Sequence, residues 1–153
     1  MSDALYTARV TSTGGGRDGH VASDDGHIDL DVRPPKAMGG SGEGTNPEQL
    51  VAAGWAACFN SALQLIAKQG GADLDKAPEV TVECSLVKDE KDGGFRIKAA
   101  LDVTIFGVSE DQARDFAEKA DAMCPYSKAF RGDSETSAVS YTHLRAHETR
   151  HDL

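Results

Sequence analysis

The segment GTNPEQLVAAGWAACF, residues 44–59, decides the fold of this chain because it opens a long helix that is almost wholly apolar. Asn46 is a good N-cap, Pro47 suits the first helical position, and Gln49 has the spacing of a capping box with Asn46. A Gly-Gly pair stops the pattern, so the helix is predicted over residues 47–69. A helix that is apolar on nearly every side belongs at the centre of a fold.

The same segment carries a cysteine, Cys58, within its apolar run. Free cysteine is often buried as a small hydrophobic side chain, so packing explains Cys58 without any chemistry. A reactive thiol is the alternative, and it needs support from other parts of the chain.

Composition limits the classes of protein to which the chain can belong. Its 153 residues are enough for one domain with a real core, and its 39% apolar and 27% charged content is ordinary. A net charge of −9 argues against binding to nucleic acid or to an anionic membrane. No export signal and no apolar stretch near ~18 residues is evident, which predicts no membrane span. Three cysteines without an export signal suit the reducing cytoplasm.

Apolar periodicity and turn residues indicate how the rest of the chain is organised. They predict a first strand, a hairpin around an Asp-Gly turn, a loop, two antiparallel strands and a second helix that ends at a proline, over residues 4–13, 20–32, 33–46, 77–90, 93–108 and 109–124. Strands joined by hairpins, without βαβ alternation, predict an α+β fold with antiparallel sheet.

The three cysteines differ in how well each could serve as a reactive thiol. Cys84 alternates with apolar residues on a strand and is expected to be inert core. Neither Cys58 nor Cys124 belongs to a CxxC motif, which excludes a zinc knuckle or a thioredoxin-type site. Burial raises the pKa of a thiol, so a nucleophilic Cys58 needs a cation from another part of the fold.

Arg17, which follows three glycines, is the candidate cation, and Glu48 is the candidate carboxylate that would hold its guanidinium. The alternative is a solvated loop arginine and a first-turn acid that complements the helix dipole. Glu48 and Cys58 are ten residues apart, which is ~15 Å along a straight helix. Either the helix breaks at Gly54, or two subunits share one site, or Arg17 spans the gap with its long side chain, which is the favoured alternative.

Three separated motifs closely resemble the organic hydroperoxide resistance proteins, the Ohr branch of the OsmC/Ohr family. They are TGGGRDGHVASDDGHIDLDV, GGSGEGTNPEQLVAAGWAACF and CPYSKAFRG, in order and in register over roughly residues 3–133. The resemblance implies an OsmC-like α+β fold, with antiparallel sheets wrapped around central helices in an intertwined homodimer. It also implies a cytoplasmic thiol peroxidase with two active sites at the dimer interface.

The resemblance assigns roles residue by residue. Cys58 takes the peroxidatic position, Cys124 the resolving position, and Arg17 and Glu48 the positions of the activating arginine and its acidic partner. The reaction it implies reduces organic hydroperoxides to alcohols through a Cys58 sulfenate and a Cys58–Cys124 disulfide. No bound cofactor is expected; dihydrolipoamide or a lipoylated protein would be the reductant. An apolar neighbourhood is expected to favour apolar peroxides, and its residues are Trp55, Phe59, Met123 and Phe130.

Three alternatives remain open: an OsmC-branch peroxidase with a different peroxide preference, a non-catalytic dimeric module, and a metal-binding protein. The last is suggested by HETRH at 147–151, a formal match to the zincin motif, but functional zinc is not expected because little chain follows to bury it. Residues 1–137 are assigned to the peroxidase domain. Residues 138–153 depart from the family pattern of a closing strand and are interpreted as a non-native tail, similar to translated adapter sequence.

Overall fold

The computed structural model describes residues 3–140, and they form the predicted α+β fold with antiparallel sheets. The regular elements in chain order are β1 (Val10–Gly15), β2 (Asp18–Ser23), β3 (Asp29–Asp31), α1 (Pro47–Gln69), β4 (Glu79–Lys88), β5 (Phe95–Thr104), α2 (Glu110–Met123) and α3 (Pro125–Phe130). A short 3-10 turn, Lys36–Met38, lies in the loop before α1.

The three N-terminal strands form one antiparallel sheet in the order β1-β2-β3. The predicted hairpin at Asp25-Gly26 is confirmed between β2 and β3. The first strand begins at Val10, later than predicted, because Val10 pairs with Ser23 and β2 ends there. Residues 3–9 therefore have no strand opposite them, and they are exposed.

Helix α1 has the predicted bounds. The Asn46 side chain accepts a hydrogen bond from the Gln49 backbone N–H at 2.9 Å. The other half of the predicted capping box is absent, because the Gln49 side-chain oxygen accepts from the Thr45 hydroxyl instead. The helix runs without interruption through Gly54, so the predicted weak point is not a break.

Strands β4 and β5 pair antiparallel over their whole length, from Glu79 opposite Thr104 to Lys88 opposite Phe95. Their alternating apolar face packs with α1 and α2 around a buried core that consists of Trp55, Phe59, Ala62, Leu63, Ala67, Phe116, Ala120 and Cys124. The apolar alternation along β5 predicts that Phe95 faces inward, but its side chain is 65% exposed. It lies at the turn end of the hairpin, beyond the residues that pack on this core.

Helix α2 begins with a Ser109–Gln112 capping box, which the spacing of these two residues in the sequence predicts. Pro125 ends α2 as predicted, but it also begins α3, which the sequence analysis did not identify. Proline is favourable at the first position of a helix because it lacks only an N–H that would be unpaired there. Cys124 is consequently both the C-cap of α2 and the N-cap of α3.

Helix α1 corrects the expectation that no stretch is apolar enough to cross a membrane. Its 23 residues include an 18-residue window with a mean hydropathy of 1.5. Length and composition are weak evidence, because the core helix of a folded domain has the same character. Within the chain α1 packs against β4, α2 and α3, yet only 28% of that window is buried. Of its large apolar residues, Leu65 remains 43% exposed in a single chain.

The C-terminal part of the chain carries little described structure. Residues 133–140 belong to neither helix nor strand. The HETRH motif and most of the segment interpreted as a non-native tail lie outside the described residues, so both interpretations stay predictions.

Candidate active site

Arg17 and Glu48 form a forked ion pair at the beginning of α1. Arg17 Nη1 donates to Glu48 Oε2 at 3.1 Å, and Nη2 donates to Oε1 at 2.8 Å. The arginine holds the pKa of the Glu48 carboxyl below its ordinary value, and the carboxylate raises the pKa of Arg17 in return. The Glu48 side chain is 13% exposed and that of Arg17 is 45% exposed. The pairing predicted from sequence is present, with one side of the guanidinium open.

The β1–β2 hairpin positions Arg17 because its turn is tight. Gly15 pairs with Asp18, which leaves only Gly16 and Arg17 in the turn, and Gly16 has a φ of 69° that favours glycine. Across the hairpin Gly19 lies against the Thr13 carbonyl, where a side chain would collide with the backbone. The glycine-rich segment therefore consists of the paired ends of β1 and β2, and Arg17 lies in the turn between them.

Cys58 lies near the middle of α1 and contacts Cys124, the residue that joins α2 to α3. Cys124 is completely buried, whereas Cys58 is partly buried. Burial raises the pKa of the Cys58 thiol, a hydrogen bond from the backbone N–H of Tyr126 lowers it, and the bond to the Cys124 side chain raises it again. The structure thus brings together two of the predicted site residues, both as free thiols.

The ion pair and the two thiols are separate within one chain. Glu48 and Cys58 are ten residues apart on an unbroken helix, or ~15 Å along its axis. The Arg17 guanidinium makes its hydrogen bonds to Glu48, and it is not among the groups that perturb the pKa of Cys58. The break at Gly54 is absent, and Arg17 makes no hydrogen bond to Cys58 within the described chain, so the choice between one subunit and two stays a prediction.

Cys84 is the remaining thiol that could be considered as a nucleophile. It is only partly buried, and together with Glu48 it lines a cavity of about 420 Å³ between the start of α1, β4 and the loop before α1. Burial and the Glu48 charge both raise the pKa of Cys84. Since an anion disfavours a thiolate, Cys84 is a poor nucleophile, although it is less enclosed than a core residue.

Two of the four residues expected to form an apolar pocket, Trp55 and Phe130, join α3 to α1. The Trp55 ring stacks on Phe130 with a centroid distance of 4.4 Å, and Trp55 Nε1 donates to the Ser127 hydroxyl at 3.0 Å. Phe59 is buried in the core, and Met123 is partly buried. Their contact with a substrate stays a prediction.

An apolar cavity that the sequence analysis did not identify adjoins this cluster. It has a volume of about 480 Å³ and is lined by Val10, Val21, Ile28, Leu50, Ala53, Gly54 and Tyr126. Its walls come from β1, β2, the turn before β3, α1 and α3, so no local pattern in the sequence indicates it. Tyr126 adjoins both the cavity and the Cys58 sulfur.

Metal chemistry receives no support from residues 3–140, which contain no group of three or more histidine, cysteine or acidic side chains able to hold a metal ion. The HETRH motif lies outside that range.

Comparison with known proteins gives a consistent relationship. The family described as OsmC-like protein matches residues 40–138. The organic hydroperoxide resistance protein OhrB of Bacillus subtilis is 47% identical over 130 residues, which cover 85% of this chain and 93% of that protein. Its crystal structure matches with a TM-score of 0.76.

A crystal structure of an organic hydroperoxide resistance protein from Legionella pneumophila is 42% identical, covers 86% of this chain and 93% of its own, and has a TM-score of 0.79. An OsmC-like protein from Mycoplasma pneumoniae shares the fold, with a TM-score of 0.65 over 84% of this chain and 90% of its own, but is only 21% identical. The chain therefore belongs to the OsmC-like protein family, within its organic hydroperoxide resistance branch.

Proposed function

We propose that this protein is a thiol-dependent peroxidase that reduces organic hydroperoxides to alcohols. The observation that carries the proposal is the contact between two free thiols, Cys58 and Cys124, beside the Tyr126 amide. Substrate class is supported by the relatives, whose names specify resistance to organic hydroperoxides.

The reaction would proceed in two steps on the protein. The Cys58 thiolate attacks one peroxide oxygen, the O–O bond breaks, and the leaving alkoxide takes a proton to become the alcohol. Cys58 is then a sulfenic acid. The Cys124 thiol attacks the sulfenic sulfur, a disulfide forms, and the sulfenic oxygen leaves as water. The present contact between the two side chains supports this order, since disulfide formation needs no long-range movement.

We further propose that the protein acts as a homodimer in which the Arg17–Glu48 pair of one subunit serves Cys58 of the other. The pair and the thiol make no contact within one chain, Arg17 is 45% exposed, and the apolar Leu65 of α1 is 43% exposed. A guanidinium brought to Cys58 would oppose the effect of burial on its pKa and would stabilise the charge that develops on the leaving alkoxide.

The reductant we propose is a dithiol, dihydrolipoamide or a lipoylated protein. Its first thiolate attacks the Cys58–Cys124 disulfide and its second releases the mixed disulfide, which returns two protein thiols and one oxidised dithiol. An odd number of cysteines suits a reducing compartment better than a disulfide framework, and we therefore propose a cytoplasmic location.

The test is a peroxidase assay with dihydrolipoamide as the reductant and with cumene hydroperoxide and hydrogen peroxide compared side by side. We expect turnover with both and a higher kcat/KM with cumene hydroperoxide. The absence of turnover with any dithiol and any organic hydroperoxide would favour the non-catalytic dimeric module.

A further inference from the structure

Gly54 and Tyr126 make an unusually close contact between α1 and α3. A Cβ atom added at Gly54 would lie 2.9 Å from Tyr126 Cζ and 3.1 Å from Cε2, closer than such atoms approach, and closer still to the Tyr126 hydroxyl oxygen. The Tyr126 ring therefore rests directly on the backbone of α1, at the one position in that helix without a side chain.

A glycine at this point has a cost that requires a reason. Glycine in a helix interior is less favourable than alanine, because its backbone loses more conformational freedom. Gly54 is in the interior of α1 and has an ordinary helical conformation, so neither a turn nor a positive φ explains it. The contact with Tyr126 is the feature of the structure that does.

The backbone of Tyr126 has a separate effect, since its amide lies close enough to the Cys58 thiol to lower the pKa of that thiol. Gly54 and Cys58 are four residues apart and so lie one above the other on the same face of α1. The ring and the amide of one residue thus contact two positions of α1 a single turn apart.

We propose that Gly54 is a positioning residue: its missing side chain seats the Tyr126 ring on α1 and thereby holds the Tyr126 amide against the Cys58 sulfur. Trp55 contributes to the same attachment of α3 through Ser127 and Phe130. The inference rests on the proposed role of Cys58 as the reactive thiol, but it concerns the position and ionisation of that thiol and not the turnover of peroxide.

The experiment measures the rate at which iodoacetamide alkylates Cys58, by peptide mass spectrometry, between pH 6 and pH 10 in the full-length protein. Gly54→Ala should displace Tyr126, raise the midpoint of the profile, and slow alkylation at pH 7 by about tenfold, the effect of one pKa unit. Ser61→Ala, at an exposed position seven residues farther along α1, is the matched control and should leave the profile unchanged.

A double-mutant cycle with Tyr126→Ala tests whether Gly54 acts through the Tyr126 ring or independently of it. If Gly54 acts by seating the ring, Gly54→Ala should change the rate by less than about twofold in the Tyr126→Ala background. An equal effect in both backgrounds would overturn the proposal, as would a Gly54→Ala protein with a higher Tm and an unchanged profile. Should Gly54→Ala fail to fold, an unchanged profile in Tyr126→Ala alone would overturn it. A protein without peroxidase activity that shows the predicted coupling would refute the proposed function and leave this inference intact.

Discussion

The two ends of the N-terminal half of α1 differ in almost every physical respect. At its first turn, Glu48 and Arg17 are both charged, joined by two hydrogen bonds, and partly open to solvent. Near its middle, burial favours the neutral thiol of Cys58, and Cys124 beside it is completely buried. One region supplies charge without a nucleophile, and the other supplies a nucleophile without charge.

Each of the two regions is chemically incomplete alone. An arginine already held by a carboxylate is preorganised, so little conformational freedom is lost when it meets a thiolate. A buried thiol with one amide donor is protected from solvent but remains protonated near neutral pH. Joining them across a subunit interface, as we propose, gives a site in which the charge appears only where the two chains meet.

The largest expected effect is at the nucleophile. Cys58→Ser should reduce peroxidase activity to the rate without protein, because the hydroxyl is not ionised near neutral pH and cannot attack peroxide. Cys84→Ser, the matched change at the thiol in the Glu48 cavity, should remain within a few-fold of wild type. A steady-state assay measures both. The reverse pattern would mean that the ion pair serves the thiol nearest to it in its own chain.

The second effect separates the two thiols of the buried region. Cys124→Ser should still reduce about one equivalent of hydroperoxide per subunit in a single-turnover assay and then stall with an oxidised Cys58. In wild type, mass spectrometry after peroxide treatment should show a Cys58–Cys124 disulfide. A peptide map that pairs Cys84 instead would show that the contact seen here is not the productive one.

The third effect is at the ion pair. Arg17→Lys should lower kcat/KM by about 100-fold, the order of magnitude for removing one donor to a developing charge, because an ammonium cannot bind Glu48 and the reacting group in a fork. Glu48→Gln should lower it less, since that residue acts through Arg17.

Mixed dimers test whether this pair acts across the interface. Subunits carrying Arg17→Ala, combined with subunits carrying Cys58→Ser, should recover activity in the mixed species, because one complete site forms from the two intact residues. Homodimers of either variant provide the baseline. If the mixed dimer is no more active than that baseline, Arg17 and Cys58 work in the same chain.

The smallest effect is on stability in acid. Arg17 lowers the pKa of Glu48 from its ordinary value of 4.5, so the folded state favours the carboxylate. The stabilisation is fully present above that ordinary pKa and is lost as the pH falls through the lowered value in the folded protein. Urea denaturation of wild type and Glu48→Gln should differ by about 1 kcal/mol or less at pH 7, since the pair is partly exposed. The difference should shrink below pH 4.5; one that grows there would contradict the assigned direction.

The helices and strands whose signals are local could be predicted from the sequence. Asn46 and Pro47 fix the start of α1, and Ser109 with Gln112 fixes the start of α2, because a cap satisfies backbone groups within one turn. The β4–β5 hairpin followed from strict alternation on both sides of its turn. The motifs shared with organic hydroperoxide resistance proteins indicated the fold and the identities of the candidate site residues.

The positions of those residues relative to one another depend on tertiary contacts. Pro125 reads equally well as a helix stop and a helix start, and packing of Trp55 against Ser127 and Phe130 is what establishes α3. Gly54 reads as a weak point until the Tyr126 ring is seen to rest on it. The sequence paired Arg17 with Glu48 correctly, but it could not show that this pair and Cys58 stay apart within one chain. Such separations depend on contacts between residues distant in the sequence, for which local propensity and spacing carry no signal.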